Sequence, residues 1–150
     1  MCLTTKRILP NVALKDIEVY KVFLMKDDNS QLVSPHQFTH YDNDVEEIIP
    51  FSKRVLSERR MGCLFEREVG EGYIHAWQYE SFARLSACHA SLHFVHYTPV
   101  IWKCVIPKGT LYFKGTTDIC AKKIRLVEKL DSVADMKKKA SDYFMTDIED

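Results

Sequence analysis

The sequence predicts an α+β fold, a mainly antiparallel sheet of about six short strands with two or three helices. Three observations lead there. Residues 100–106 alternate, with Val100, Trp102, Cys104 and Ile106 on one face and Ile101, Lys103 and Val105 on the other. This run ends in Pro107-Lys108-Gly109-Thr110, a turn tight enough to reverse the chain onto 111–114. Leu85, Cys88, Leu92 and Val95 then repeat at i, i+3, i+7 and i+10, the period of a helix. Strand-like runs joined by tight turns favour antiparallel neighbours.

Taken in chain order, residues 1–15 carry no period and read as an arm or an irregular entry. Residues 17–24 are β-branched and aromatic, a strand. The polar run 26–31 is a turn, and 32–38 returns as a partner strand in which Pro35 marks an edge or a break. Residues 40–44 form a second turn. The segment 45–69 is ambiguous: 52–61 suits a short helix through Val55, Leu56 and Arg59, and Cys63-Leu64-Phe65 a strand edge. Gly70-Glu71-Gly72 punctuates the chain before a strand over 73–77. A helix is expected over 79–96, with Pro99 helping to end it. Residues 111–114 and 119–127 are further strands. Ser132 is an N-cap for a last helix over 133–144, with Asp135 near its positive end. Residues 1–145 are therefore expected as a single globular domain, and 146–150 as an acidic, frayed tail.

Composition narrows the function classes. The 150 residues suffice for a sizeable core, and 46% apolar with 28% charged is ordinary for a globular chain. With 21 basic and 21 acidic side chains the net charge is zero, which argues against a general nucleic-acid binder. No apolar run reaches the ~18 residues of a membrane span, and Met1 to Arg7 lack the apolar core of a signal peptide. Cys2, Cys63, Cys88, Cys104 and Cys120 are odd in number and scattered without a C-x-x-C pair, so neither a zinc ribbon nor a dithiol motif is present. Cys104 and Cys120 lie in apolar runs and read as small core residues. Reduced thiols fit a cytoplasmic protein.

Three groups of side chains carry chemistry. Alternation puts Tyr73, His75 and Trp77 on one strand face, where an aromatic surface with a central imidazole can stack a base or nicotinamide ring. The plainer reading is a satisfied, half-buried core histidine. His89, His93 and His96 fall at i, i+4 and i+7. Histidine pairs at i, i+4 bind metals, but a straight helix rarely aims three at one ion, and Ala90-Ser91-Leu92 is not H-E-x-x-H. A polar flank beside the apolar stripe is the expectation, with no metal and no cofactor. Lys103, Lys108, Lys114, Lys122, Lys123 and Arg125 make the strand-rich end locally basic; Lys108 with the Gly109 N–H, and Tyr112 stacked beside them, would hold a phosphate. The alternative is a solvated sheet face. Lys137-Lys138-Lys139 reads as an exposed helix face. No catalytic residue is expected, since G-x-S-x-G, P-loop and G-x-G-x-x-G motifs are missing and Cys88 and His89 point roughly 100° apart on a helix.

The order of motifs carries a resemblance. The chain opens Met1-Cys2-Leu3-Thr4-Thr5-Lys6 and continues with Val19-Tyr20-Lys21-Val22, Ser34-Pro35-His36 and Gly72-Tyr73-Ile74-His75-Ala76-Trp77. It closes with I-W-K-C-V-I-P-K-G-T-L-Y-F-K-G over 101–115 and Ala121-Lys122-Lys123-Ile124. In this it resembles a family of small uncharacterised proteins common in Bacteroides and their phages, over most of residues 1–130. It departs from the pattern by an extra residue between Gly72 and His75 and by Ala121-Lys122 in place of Ser-Asp. The resemblance implies no activity. It implies a host-cytosolic protein of phage, prophage or mobile-element origin.

The function expected is therefore a small accessory protein without catalysis, binding a nucleotide-like host signal (an anti-defence role) or a host protein. Residues 101–115 also loosely resemble the final strands of ADP-ribosyltransferase-like domains, for which Glu128 and His36 or His75 would have to serve. A virion or assembly module that pairs through exposed strand edges as a homo-oligomer is the remaining alternative.

Overall fold

β-Branched and aromatic residues dominate the longest ladders of the computed structural model. It describes residues 4–5, 9–25, 31–34, 40–42, 45–50, 56–61, 64–69, 72–94 and 96–132. The elements are β1 (Thr4–Thr5), β2 (Asn11–Val12), β3 (Ile17–Met25), β4 (Gln31–Val33), β5 (His40–Asp42), β6 (Glu47–Ile48), β7 (Leu56–Met61) and β8 (Leu64–Val69). They continue with β9 (Ile74–Trp77), α1 (Glu80–His93), β10 (Thr98–Ile106), β11 (Leu111–Lys114), β12 (Asp118–Ala121) and β13 (Ile124–Ser132). Every pairing among the described residues is antiparallel.

This corrects the expected α+β class. One helix, not two or three, lies among the described residues, on a fold that leans to all-β. The expected helix over 52–61 is replaced by β7, paired with β8 from Leu56↔Val69 to Met61↔Leu64. So short a segment gains little as an isolated helix, and a cross-strand ladder outweighs its propensity. The expected turn at 40–44 contains β5, paired with β4. The strand expected over 119–127 is two, β12 and β13, parted at Lys122-Lys123. The helix expected over 133–144 and the tail lie outside the described residues. No helix among the described residues is long and apolar enough to cross a membrane.

β1, β8 and β7 form a three-stranded sheet. The larger sheet has ten strands in the order β2-β11-β12-β9-β3-β10-β13-β6, with β4 on β3 and β5 on β4. Its central pair, β3 and β10, is in register from Ile17↔Ile106 to Met25↔Thr98. The alternation expected for β10 holds: Val100, Cys104 and Ile106 join one apolar cluster, and Ile101 joins another on the opposite face. The first cluster takes Ile74, Ala76, Ile119 and Ala121 from one half of the sheet and Ile124, Leu126 and Ile48 from the other. Residues from both halves meet in one core only if the sheet curls around it. The Pro107–Thr110 turn places Gly109 at φ 88°, a left-handed geometry that favours glycine. Gly109 N–H donates to the Ala13 carbonyl at 2.8 Å and Lys108 N–H to Asp16 Oδ1 at 2.8 Å.

α1 lies on the convex face through Ala83, Ala87 and Ala90, not through the stripe the sequence suggested. Leu85 and Leu92 are 67% and 73% exposed, and Cys88 is exposed. The reason is space. Val22, Leu24 and Ile101 stand up from the sheet beneath the helix, and methyl side chains let it approach closely. The helix stops at His93, where Phe94 N–H donates to the Ala90 carbonyl at 2.9 Å. Pro99 lies beyond it, inside β10.

Candidate functional site in a breach of the sheet

The site begins with a change of strand partner. β10 occupies one edge of β3 along its whole length. On the other edge β9 pairs only at Tyr20↔Trp77, and β4 only at Leu24↔Val33 and Met25↔Leu32. Among the described residues no strand pairs with 21–23 on that edge, so the sheet is breached there. A cavity of about 200 Å³ fills the breach. Its walls are Lys21 and Val22 of β3, Ser34 after β4, Tyr41 of β5, the segment 73–77, and Ser86, His89, Ala90, His93 and Phe94 at the C-terminal end of α1.

Lys21 is the charge of this site. It shares its side of β3 with Val19, Phe23 and Met25 and is 6% exposed. Its Nζ donates to the His75 carbonyl at 2.8 Å and lies 5.4 Å from the centre of the Phe23 ring. Burial pushes its pKa down to about 8, because the ammonium form loses its hydration. Among the described residues no carboxylate lines the cavity to hold that charge.

The structure brings together the first predicted group. Tyr73, His75 and Trp77 all line the cavity. Tyr73 is buried edge-on to Phe113 at 5.3 Å, with the Lys122 ammonium 4.7 Å from its ring centre. Burial raises the Tyr73 pKa, keeping the phenol protonated. His75 is in register with Cys120. Trp77 stacks on Phe82 at 6.1 Å and packs on the helix cluster, so it serves the core and the cavity wall at once. Gln78 anchors this end of β9, its Nε2 donating to the Gly115 and Asp118 carbonyls at 2.6 and 2.8 Å.

His89 and His93 also line the cavity, with ring centres 4.6 Å apart. His96 lies past the end of α1 and does not share its face. Among the described residues no three His, Cys, Asp or Glu side chains are placed to hold a metal ion.

Lys103, Lys108, Tyr112 and Lys114 do not line the cavity. Lys103 pairs with Glu18 at 3.4 Å, and Glu18 also accepts from Tyr20 Oη at 2.6 Å. Lys123 and Arg125 pair with Glu47 and Asp16. The basic end read from the sequence is thus partly neutralised pair by pair. The N–H groups of the turn that would serve an anion there donate to Asp16 and Ala13. Tyr112 packs against the main core, and Lys114 is exposed.

Sequence reasoning missed Lys21, Ser34 and Tyr41. For Lys21 a signal existed: a lysine in phase with Ile17, Val19, Phe23 and Met25 on a strand whose face is otherwise apolar. Ser34 follows β4, whose pairing with β3 was expected, whereas Tyr41 arrives through the β4–β5 pairing in a segment read as a turn. No family model matches this chain, and no curated protein or solved structure matches it either.

Proposed function

We propose that the chain is a non-catalytic binding protein for a compact, planar, anionic molecule of nucleotide type, held in the breach between β9, β3 and α1. One observation carries this reading: Lys21, its amine held by the His75 carbonyl, lines a cavity walled by Tyr41, Tyr73, Trp77, Phe94 and three histidines, with no carboxylate among its described walls. Aromatic faces and imidazoles stack a ring, and an amine with hydroxyl donors meets an anion. A pKa of about 8 leaves Lys21 mostly charged at pH 7. A cavity of about 200 Å³ suits a single nucleotide or a smaller molecule better than a dinucleotide. In the phage setting that the sequence resemblance implies, such a protein would withdraw a host nucleotide signal in the cytosol.

Titration calorimetry with adenosine, guanosine and uridine 5′-monophosphates tests it. One of them is expected to bind one-to-one, and Lys21→Met to weaken that binding about tenfold or more. Binding by none, or equal binding by the variant, would overturn the reading. No observation favours the ADP-ribosyltransferase alternative. Glu128 is exposed on β13 opposite Lys103 and is not among the cavity walls with His75.

A further inference from the structure

Most buried lysines extend their ammonium to water or to a carboxylate. Among the described residues Lys21 does neither: it is 6% exposed, it lines a cavity, and its amine is held by a backbone carbonyl. We propose that Lys21 captures the carbonyl group of an aldehyde or ketone ligand as a reversible imine. The proposal rests on the cavity being a ligand site, and it gives Lys21 a carbonyl carbon to meet in place of the anion.

The geometry fits the chemistry. A neutral amine that donates one N–H to the His75 carbonyl keeps its lone pair for a carbonyl carbon. With its pKa pushed down to about 8, about a tenth of Lys21 is neutral at pH 7, against roughly one in a few thousand for an ordinary lysine. Desolvation of this kind is how lysines become nucleophiles.

In the step itself the Nζ lone pair forms a bond to the carbonyl carbon, and the C=O π pair moves onto oxygen. That oxygen takes up a proton while nitrogen gives one up, leaving a neutral carbinolamine. Loss of the hydroxyl with a proton then leaves C=N, so amine and carbonyl give imine and one water, with no oxidant or reductant. The titratable groups among the described cavity walls are His75 of β9, Tyr73 before it, Tyr41 of β5, and His89 and His93 of α1, and Cys104 of β10 lies near Lys21. Imidazoles and phenols of this set can carry the two proton transfers.

The test uses the whole chain and a matched pair of planar, anionic probes. Pyridoxal 5′-phosphate carries the aldehyde, and pyridoxine 5′-phosphate carries an alcohol in its place. The aldehyde is added with cyanoborohydride, and the reduced adduct is mapped by peptide mass. The expected result is an adduct on Lys21 that forms at least tenfold faster than on any exposed lysine and is lost in Lys21→Met. Calorimetry with the alcohol reports binding without covalent chemistry. Binding of the alcohol with the aldehyde adducts confined to exposed lysines would overturn the imine and leave the binding site standing. Failure of both probes to reach the cavity would overturn the imine together with the site it rests on. Mapping on the unaltered chain gives the answer even if the variant folds poorly.

Discussion

Lys21 sits where a strand face of Ile17, Val19, Phe23 and Met25 would ordinarily place another apolar side chain. Its amine is charged in the unfolded chain up to the ordinary lysine value of 10.5, but in the folded chain only up to about 8. Between these values the unfolded state binds more protons, so wild-type stability rises with pH across that window. Below pH 8 the burial penalty is carried in full. Lys21→Met keeps the stem volume and removes the charge, so it is expected to stabilise the chain by about 1–3 kcal/mol at pH 7. That advantage should shrink steadily as denaturant melts are repeated towards pH 10. An unchanged or lower midpoint at pH 7 would place the amine in water instead.

The cysteines give a second test at the same scale. Burial pushes the Cys104 and Cys120 thiols up to about 12, whereas Cys88 is exposed. Of these three, iodoacetamide at pH 8 should alkylate Cys88 and spare the other two until the protein is denatured. The sequence made the two buried thiols legible, because both lie in apolar runs. Lys21 was less so: one lysine among hydrophobic residues does not say whether its strand faces water or a cavity.

Among the elements, α1 shows how a correct helix can be given the wrong face. The period placed a helix over 79–96, three residues beyond its end at His93, and leucines outweighed alanines in choosing the buried side. The sheet decides otherwise, because Val22, Leu24 and Ile101 leave room only for methyl groups beneath the helix. Ala87→Leu should therefore overpack this contact and cost about 1–3 kcal/mol in a urea melt. Leu85→Gln on the outer face should change stability by less than about 0.5 kcal/mol. The reverse order would restore the leucine face to the sheet. The same close approach brings Ser86, His89 and His93 over the cavity, so the helix contact and the site are one arrangement. The strands β3, β10 and β11 were legible because alternation and the turn after Ile106 are local signals. The strand β7 was not, because its stability lies in pairing with β8.

For the molecule as a whole, the decisive feature is topological. β3 passes from β9 to β4 along one edge, and the residues between these partners border a cavity that α1 covers. Tyr73, His75 and Trp77 could be nominated from their spacing. Their meeting with Lys21, Ser34 and Tyr41 depends on strand order, which a single chain of letters does not display. The most direct test of this account is a pH titration of the lysine side chains by NMR, with carbon-13 at Cε, on the chain and on Lys21→Met. The account predicts one resonance, missing from the variant, that titrates near pH 8 while the exposed lysines titrate above pH 10. If the resonance assigned to Lys21 titrates with the others above pH 10, the amine is solvated, and both the breach site and the imine built on it are contradicted.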